Sequence, residues 1–562
     1  MRILISLLLG GAAPVLAQAL TPIPAPIVLT NGIIYDGSGG APYPGWVAMS
    51  GDRISAMGRG PAPQSANTID VKGQAIAPGF VNMLSWSTES LFVDGRAQSD
   101  LRQGITLEVM GEGKSMGPLS PAMKEAMLRR QDDVKFPVTW TSLGEYLTVL
   151  EQRGIAPNVA SFVGATSVRV HELGEGDVDP TPEQLGRMTG LVRAAMHEGA
   201  LGVGSSLIYA PASFAETPEL VALAKASAAC GGMYISHIRN EGDGVLQAAD
   251  ELITIARESG GPAEIWHIKL AGAGNWDKFA AYVGKIEAAR KEGLRITADM
   301  YTYPASSTGL DASMPLWVQA GGVEAWVARM QDPAVRARVL ADMAKPPAGE
   351  TNALKQSGSA DKVLLLGFRN TALKPLTGKT LGEVARARGK SPEDTAIDLV
   401  IEDGSRVQVA YFQMNEANVR DFLKLPYVSF GSDAEAQAPV GPFLLSSTHP
   451  RAYGNFARVL GKYARDERAI TLAEAVRKLS ALPTQNLGIK DRGALKAGNF
   501  ADVVVFDPKT IADHATFEKP QVFATGMQHV FVNGVQVLKN GEPTGAAAGR
   551  FVKGPGAGKC AV

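Results

Sequence analysis

The sequence predicts an α/β protein: a (β/α)₈ TIM-like barrel with a small β-sandwich built from both termini and a segment inserted late in the barrel. Three observations point there. Short apolar strands alternate with helical segments in units of roughly thirty residues through the middle of the chain. Runs with period-two character lie near both ends. The alternation then loosens over residues 310–424, where Trp317, Trp326, Pro333, Pro346 and Pro347 interrupt it.

At the N-terminal end the β-like runs are 27–35, 45–49 and 53–57, separated by Gly, Pro and Asp. Their counterparts are 501–506 and 529–537, so residues 18–75 and 485–550 are assigned to one sandwich. Between them, 76–484 is the barrel. Its strands include 159–163, 202–206, 233–237, 263–269 and 295–301, with helices over 182–198, 218–230, 244–259 and 276–292. A doubly wound open sheet is the competing reading of this rhythm. The inserted 310–424 region has the character of a lid, and the Gly-rich residues 551–562 read as a flexible tail.

With 562 residues, 45% hydrophobic and 20% charged, the chain can bury the core of one large domain with satellites. Fifty-five basic and 56 acidic residues leave a net charge of -1, so no overall field draws nucleic acid or an anionic membrane. The expected partner is a small molecule. Residues 1–17 carry Arg2, an apolar run over 3–9 and Val15-Leu16-Ala17, the pattern of a cleaved secretory signal. That run is about half of the ~20 residues a membrane span needs, so a periplasmic or secreted protein is expected, with no stable membrane insertion. Cys230 and Cys560 are the only cysteines. A disulfide framework is therefore not expected, and any metal must be held by histidines and carboxylates.

His237 and His267 end β-like runs one βα unit apart. Equivalent ends of adjacent barrel strands lie side by side, so two imidazoles there can converge on one ion. A packed core histidine is the plainer alternative for either alone. Asp433 follows Gly431-Ser432 at the end of a strand-like run. It suits a proton-relaying carboxylate at a metal site or a turn aspartate, and spacing alone does not choose.

Several segments jointly resemble the D-aminoacylase, or N-acyl-D-amino-acid deacylase, branch of the metal-dependent amidohydrolase superfamily. They are Ala77-Pro78-Gly79-Phe80, Gln103-Gly104-Ile105-Thr106, the run from Tyr234 through His237 to Glu241, His267-Ile268-Lys269, Gly431-Ser432-Asp433, His449-Pro450-Arg451 and Ala501-Asp502. The resemblance spans nearly the whole mature chain. It implies that His237 and His267 bind zinc and that Asp433 is the general acid/base. It also implies that Lys269, Tyr301, Ser307 and Arg451 hold a substrate carboxylate. In second rank, His449 is placed to orient that loop or contact the intermediate, and Tyr303, two residues from Tyr301, is expected to share its face of the strand.

Two departures refine this. Where the family carries a His-x-His pair on the first barrel strand, this chain has Leu84-Ser85-Trp86, none of which binds zinc well. Where the family has a cysteine ligand in a Gly-Asn-Cys-Gly stretch, Glu112 takes its place after a one-residue deletion. The set Glu112, His237 and His267 leaves a fourth position for water, so one zinc per chain is expected. The activity implied is deacylation of N-acyl (D-)amino acids, a zinc-bound hydroxide attacking a linear amide while Asp433 handles the proton. Hydrolysis of cyclic amides or dipeptides, or a metal-free non-catalytic binding protein, are the alternatives.

Overall fold

The structure is a computed structural model describing residues 26–561. The expected signal segment, 1–17, lies outside the described residues. Eight parallel strands form the barrel. Phe80–Asn82, Ile105–Met110 and Asn158–Ser161 make one arc. The last of these bends at Phe162 into Val163–Gly164 and starts a second arc, followed by Gly202–Ser206, Met233–His237, Ala263–Ile265, Ile296–Met300 and Val428–Phe430. The ring closes where the Met83 N–H donates to the Phe430 carbonyl at 3.1 Å.

Period two along each strand decides what faces the barrel axis. Met233 and Ile235 join the inner cluster with Val81, Val109, Phe162 and Trp266, while Tyr234 and Ile265 pack outward against the helices. The helices begin with side-chain caps where the sequence supplies them. Thr181 and Gln184 form a capping box at the start of Pro182–Glu198.

Strands from both ends of the chain form one continuous nine-stranded sheet, in which Val503–Phe506 pairs antiparallel with Ala75–Pro78. Leu29, Val47, Ile54, Ile76, Val503, Val505 and Phe531 fill a core of its own. Alternate residues Val504 and Phe506 pack on the barrel side instead. Both ends of the chain thus build the small β domain beside the barrel.

The inserted region has a separate core around a three-stranded antiparallel sheet of Ser306–Gly309, Val363–Gly367 and Gln408–Tyr411. It therefore spans strands from 306 to 411 rather than 310–424. The helix Glu416–Lys424 belongs to the barrel, because its apolar face of Val419, Phe422 and Leu423 packs into the main core, with Phe422 4.9 Å from Phe279.

Two expectations from the cysteine count and the glycine-rich end are corrected. Cys230 and Cys560 are joined by a disulfide spanning 330 residues of sequence. Of the residues expected to be a flexible tail, 551–562, those up to Cys560 instead lie across the N-terminal end of the barrel. Val552 donates its N–H to the Val159 carbonyl at 2.9 Å and buries its side chain in the inner cluster. Gly554 is required there, since a Cβ would lie 2.3 Å from the Ala200 carbonyl oxygen. Two cysteines far apart in sequence give no local signal of pairing, because only the fold brings them together. Cys560→Ser should lower the melting temperature, consistent with about 2–5 kcal/mol for a native disulfide, and open the last residues to proteolysis. An unchanged melt and an intact C-terminus would contradict this packing.

Candidate metal centre and catalytic cavity

Glu112 sits in a turn just beyond the strand Ile105–Met110, between two glycines that only glycine can occupy. Gly111 and Gly113 have φ of 105° and 65°, and a Cβ on Gly113 would fall 1.9 Å from Ser206 Oγ. The turn aims the Glu112 carboxylate across the barrel mouth. Its Oε1 lies 3.0 Å from His237 Nδ1 and 3.0 Å from His267 Nε2.

The two histidines arrive differently. His237 is the last inward residue of its strand. Pairing of Ser236 with Ile265 puts His267 one step further along its own strand than His237, and after inward Trp266 alternation alone would turn it outward. A left-handed backbone, φ 37°, returns it to the centre. Asp299 fixes that strained backbone by accepting the His267 N–H at 2.9 Å. Burial raises the Asp299 carboxyl to about 7.

Behind the imidazoles stands Glu241, four residues beyond His237, a position to which sequence alone assigns no role. Its Oε1 is 3.2 Å from His267 Nδ1 and its Oε2 3.5 Å from His237 Nε2, so one carboxylate faces the outer nitrogen of both rings. Such a carboxylate fixes ring orientation and strengthens the imidazole as a ligand. Burial opposes its charge, but Lys269 and the imidazoles hold the Glu241 carboxyl well below the usual range. Burial likewise opposes ionisation of Glu112, and the same two imidazoles outweigh it. In His267, burial and the Lys269 charge push downward, yet Glu112 and Glu241 carry the ring up to about 10.

These three ligand atoms lie within 4.8 Å of one another, all on buried side chains. Tetrahedral zinc with bonds of about 2.0–2.1 Å needs ligand atoms about 3.3 Å apart, and a carboxylate with two imidazoles is a zinc donor set. The residues therefore fit one zinc ion. Beside it, Leu84 and Trp86 offer no ligand atom. Leu84 is buried in the inner cluster, and the Trp86 indole donates to Asp433 Oδ1 at 3.0 Å.

Asp433, held at φ 50° with its N–H on the Leu84 carbonyl at 2.8 Å, faces the same cavity. Its Oδ2 is 2.8 Å from a terminal nitrogen of Arg451, which stacks 4.4 Å from the Tyr301 ring centre. The Arg451 Nε and Nη1 are both buried without a hydrogen-bond partner among the described residues, so the contact with Asp433 is an ion pair. His449 braces this arginine by accepting its backbone N–H at 3.0 Å on Nδ1. Its Nε2 lies 3.0 Å from the Ala305 carbonyl oxygen. Burial and Arg451 hold His449 well below the ordinary histidine value, so it is neutral.

The rest of the expected carboxylate clamp is tied elsewhere. Lys269 Nζ lies 2.5 Å from Glu241 and 2.6 Å from His267 Nδ1, while the Ser307 hydroxyl donates to the Val409 carbonyl at 2.9 Å. Both residues line the cavity, but their polar groups are committed. Tyr303 does not share the face of Tyr301. The strand ends at Met300, alternation stops with it, and the Tyr303 hydroxyl turns away to Asp513 at 3.4 Å. Tyr209, which sequence reasoning did not single out, stacks edge-on 5.2 Å from His237. No local motif marks it.

The cavity holds about 620 Å³ between the barrel mouth and the inserted region, which contributes Ser306, Asp311, Arg369 and Arg406 among its walls. Residues 67–538 match the Amidohydrolase family. The chain belongs to that family. It is 32% identical to a D-aminoacylase of Alcaligenes xylosoxydans xylosoxydans over 94% of this chain and 98% of the relative. A solved D-aminoacylase described as having a binuclear metal centre, with one-metal activation and second-metal attenuation, superposes with a TM-score of 0.78 at 30% identity. It covers 95% of this chain and 100% of that one. The N-acyl-D-glutamate deacylase of Bordetella bronchiseptica, solved with zinc and a phosphonate mimic of the tetrahedral intermediate, gives 0.77 at 28% identity, covering 94% and 99%.

A metal entering this amidohydrolase site must displace the proton that His267 carries below about pH 10. Zinc affinity, measured by chelator competition, should therefore rise about tenfold per pH unit between 6 and 9. Glu241→Gln should weaken it about 10–100-fold. A pH-independent affinity would contradict the protonated apo site.

Proposed function

We propose that this amidohydrolase is an N-acyl-D-amino-acid deacylase working with one zinc ion, held by Glu112, His237 and His267. The observation that carries the reading is their convergence opposite Asp433 and Arg451 in one cavity. A zinc ion there supplies a lowered water pKa and polarisation of the amide carbonyl. The chain's own residues do the rest.

Arg451 holds the substrate carboxylate through the nitrogens not engaged with Asp433, its orphaned Nε among them. The Tyr301 hydroxyl, whose one hydrogen-bond partner among the described residues is the Met414 sulfur at 3.7 Å, is free to join it. Together they place the amide between Glu112 and Asp433. Asp433 accepts the proton of the attacking water and returns it to the departing nitrogen, releasing the carboxylic acid and the free amino acid. Glu241 and Lys269 keep the imidazoles in place rather than touching the substrate.

Export of the chain to the periplasm or beyond is proposed on the leader at 1–17, and the Cys230–Cys560 disulfide supports an oxidising compartment.

A panel of N-acetyl-D- and N-acetyl-L-amino acids tests the activity. The D series should be hydrolysed preferentially, and Asp433→Asn should lower kcat by about 10²–10⁴-fold while retaining zinc. Equal rates on both series, or no hydrolysis of either by zinc-loaded protein, would overturn the proposal.

A further inference from the structure

Asp433 has two carboxylate oxygens, and the structure gives each a different neighbour. Oδ2 faces the Arg451 guanidinium at 2.8 Å, and Oδ1 accepts the Trp86 indole N–H at 3.0 Å. The backbones of the two segments are laced together around this contact. The Asp433 N–H donates to the Leu84 carbonyl at 2.8 Å, the Trp86 N–H donates to the Ala434 carbonyl at 3.0 Å, and Ser85 and Ala434 form a parallel bridge between them. The indole is therefore presented from a fixed main chain to a residue whose own backbone is held in the left-handed region.

The two neighbours differ in what they can do during a reaction. Arg451 has a second partner to meet, the substrate carboxylate, and its hold on Asp433 weakens when its charge is shared. The indole N–H is donor only and has no other acceptor among the described residues. It stays on Oδ1 throughout. With Oδ1 occupied, Oδ2 is the oxygen that exchanges a proton.

We propose that Trp86 is the positioning residue of Asp433. Its indole N–H fixes the carboxylate rotamer through Oδ1 and leaves Oδ2 to exchange the proton. This rests on the reading of Asp433 as the acid/base. It assigns a use to the very segment, Leu84-Ser85-Trp86, in which no metal ligand is present.

Three variants and one spectrum test it. Trp86→Phe keeps the ring and removes the donor. Trp86→Gln keeps an N–H of similar reach and removes the ring. Trp86→Phe should lower kcat about tenfold or more, the size of one hydrogen bond to a charged group, with KM changed less than about threefold and zinc content unchanged. In an Asp433→Asn background the same substitution should cost nothing further, since coupled residues are not additive. Trp86→Gln should retain more kcat than Trp86→Phe, whereas a space-filling role gives the reverse order.

Independently of activity, indole ¹⁵N labelling reports seven tryptophans, and the signal absent from Trp86→Phe is that of Trp86. It should shift upfield in Asp433→Asn. An unmoved signal, additive losses in the double variant, or a Gln variant worse than Phe would overturn the proposal. If zinc-loaded protein hydrolysed no N-acyl amino acid, the proposed function would fall, and the indole signal would still decide whether Trp86 holds Asp433.

Discussion

One carboxylate oxygen organises the catalytic end of this barrel. Glu112 Oε1 stands 3.0 Å from an imidazole nitrogen of His237 and the same distance from one of His267. A buried charge of this kind is costly unless paired. Every neighbouring feature answers that cost. The glycines on either side of Glu112 let the turn reach inward, Glu241 and Lys269 neutralise the outer edges of the imidazoles, and Asp299 accepts the strained His267 backbone N–H. With the His267 proton displaced, the carboxylates of Glu112 and Glu241 and the Lys269 ammonium leave the cluster one net negative charge. A divalent cation reverses it to one positive, which favours an anionic substrate.

The barrel and its location in the chain were legible because βα alternation and period-two strands survive in the sequence. His237 was readable as the inward end of such a strand. His267 was found for a reason that does not hold in detail: it is one residue out of register and reaches the centre only through a positive φ that alternation cannot foresee. Lys269 and Ser307 lie in the right cavity but spend their polar groups on Glu241, His267 and a backbone carbonyl, contacts set by tertiary packing. Tyr303 failed because the strand ends before it. Glu241 carried a signal, four residues beyond His237 in the same motif, though distance from the strand gave no hint that it faces both rings.

Departures from the relatives' pattern become coherent in three dimensions. Loss of the His-x-His pair does not leave a hole, since Leu84 joins the inner core and Trp86 turns its N–H to Asp433. The Asp433 carboxylate is thereby held between an arginine and an indole. The inserted region, with its own hydrophobic core, forms one wall of the cavity. It can vary in sequence without disturbing the ligands, which stand on barrel strands and the turns following them.

The central claim is that a single ion is held by Glu112, His237 and His267, with Asp433 held by Trp86. Anomalous diffraction at the zinc edge from crystals grown with excess zinc tests it most directly. One peak is predicted, within bonding distance of those three side chains, with Asp433 still on the indole nitrogen. A second peak bonded to Asp433, or a lone peak away from Glu112, would contradict it.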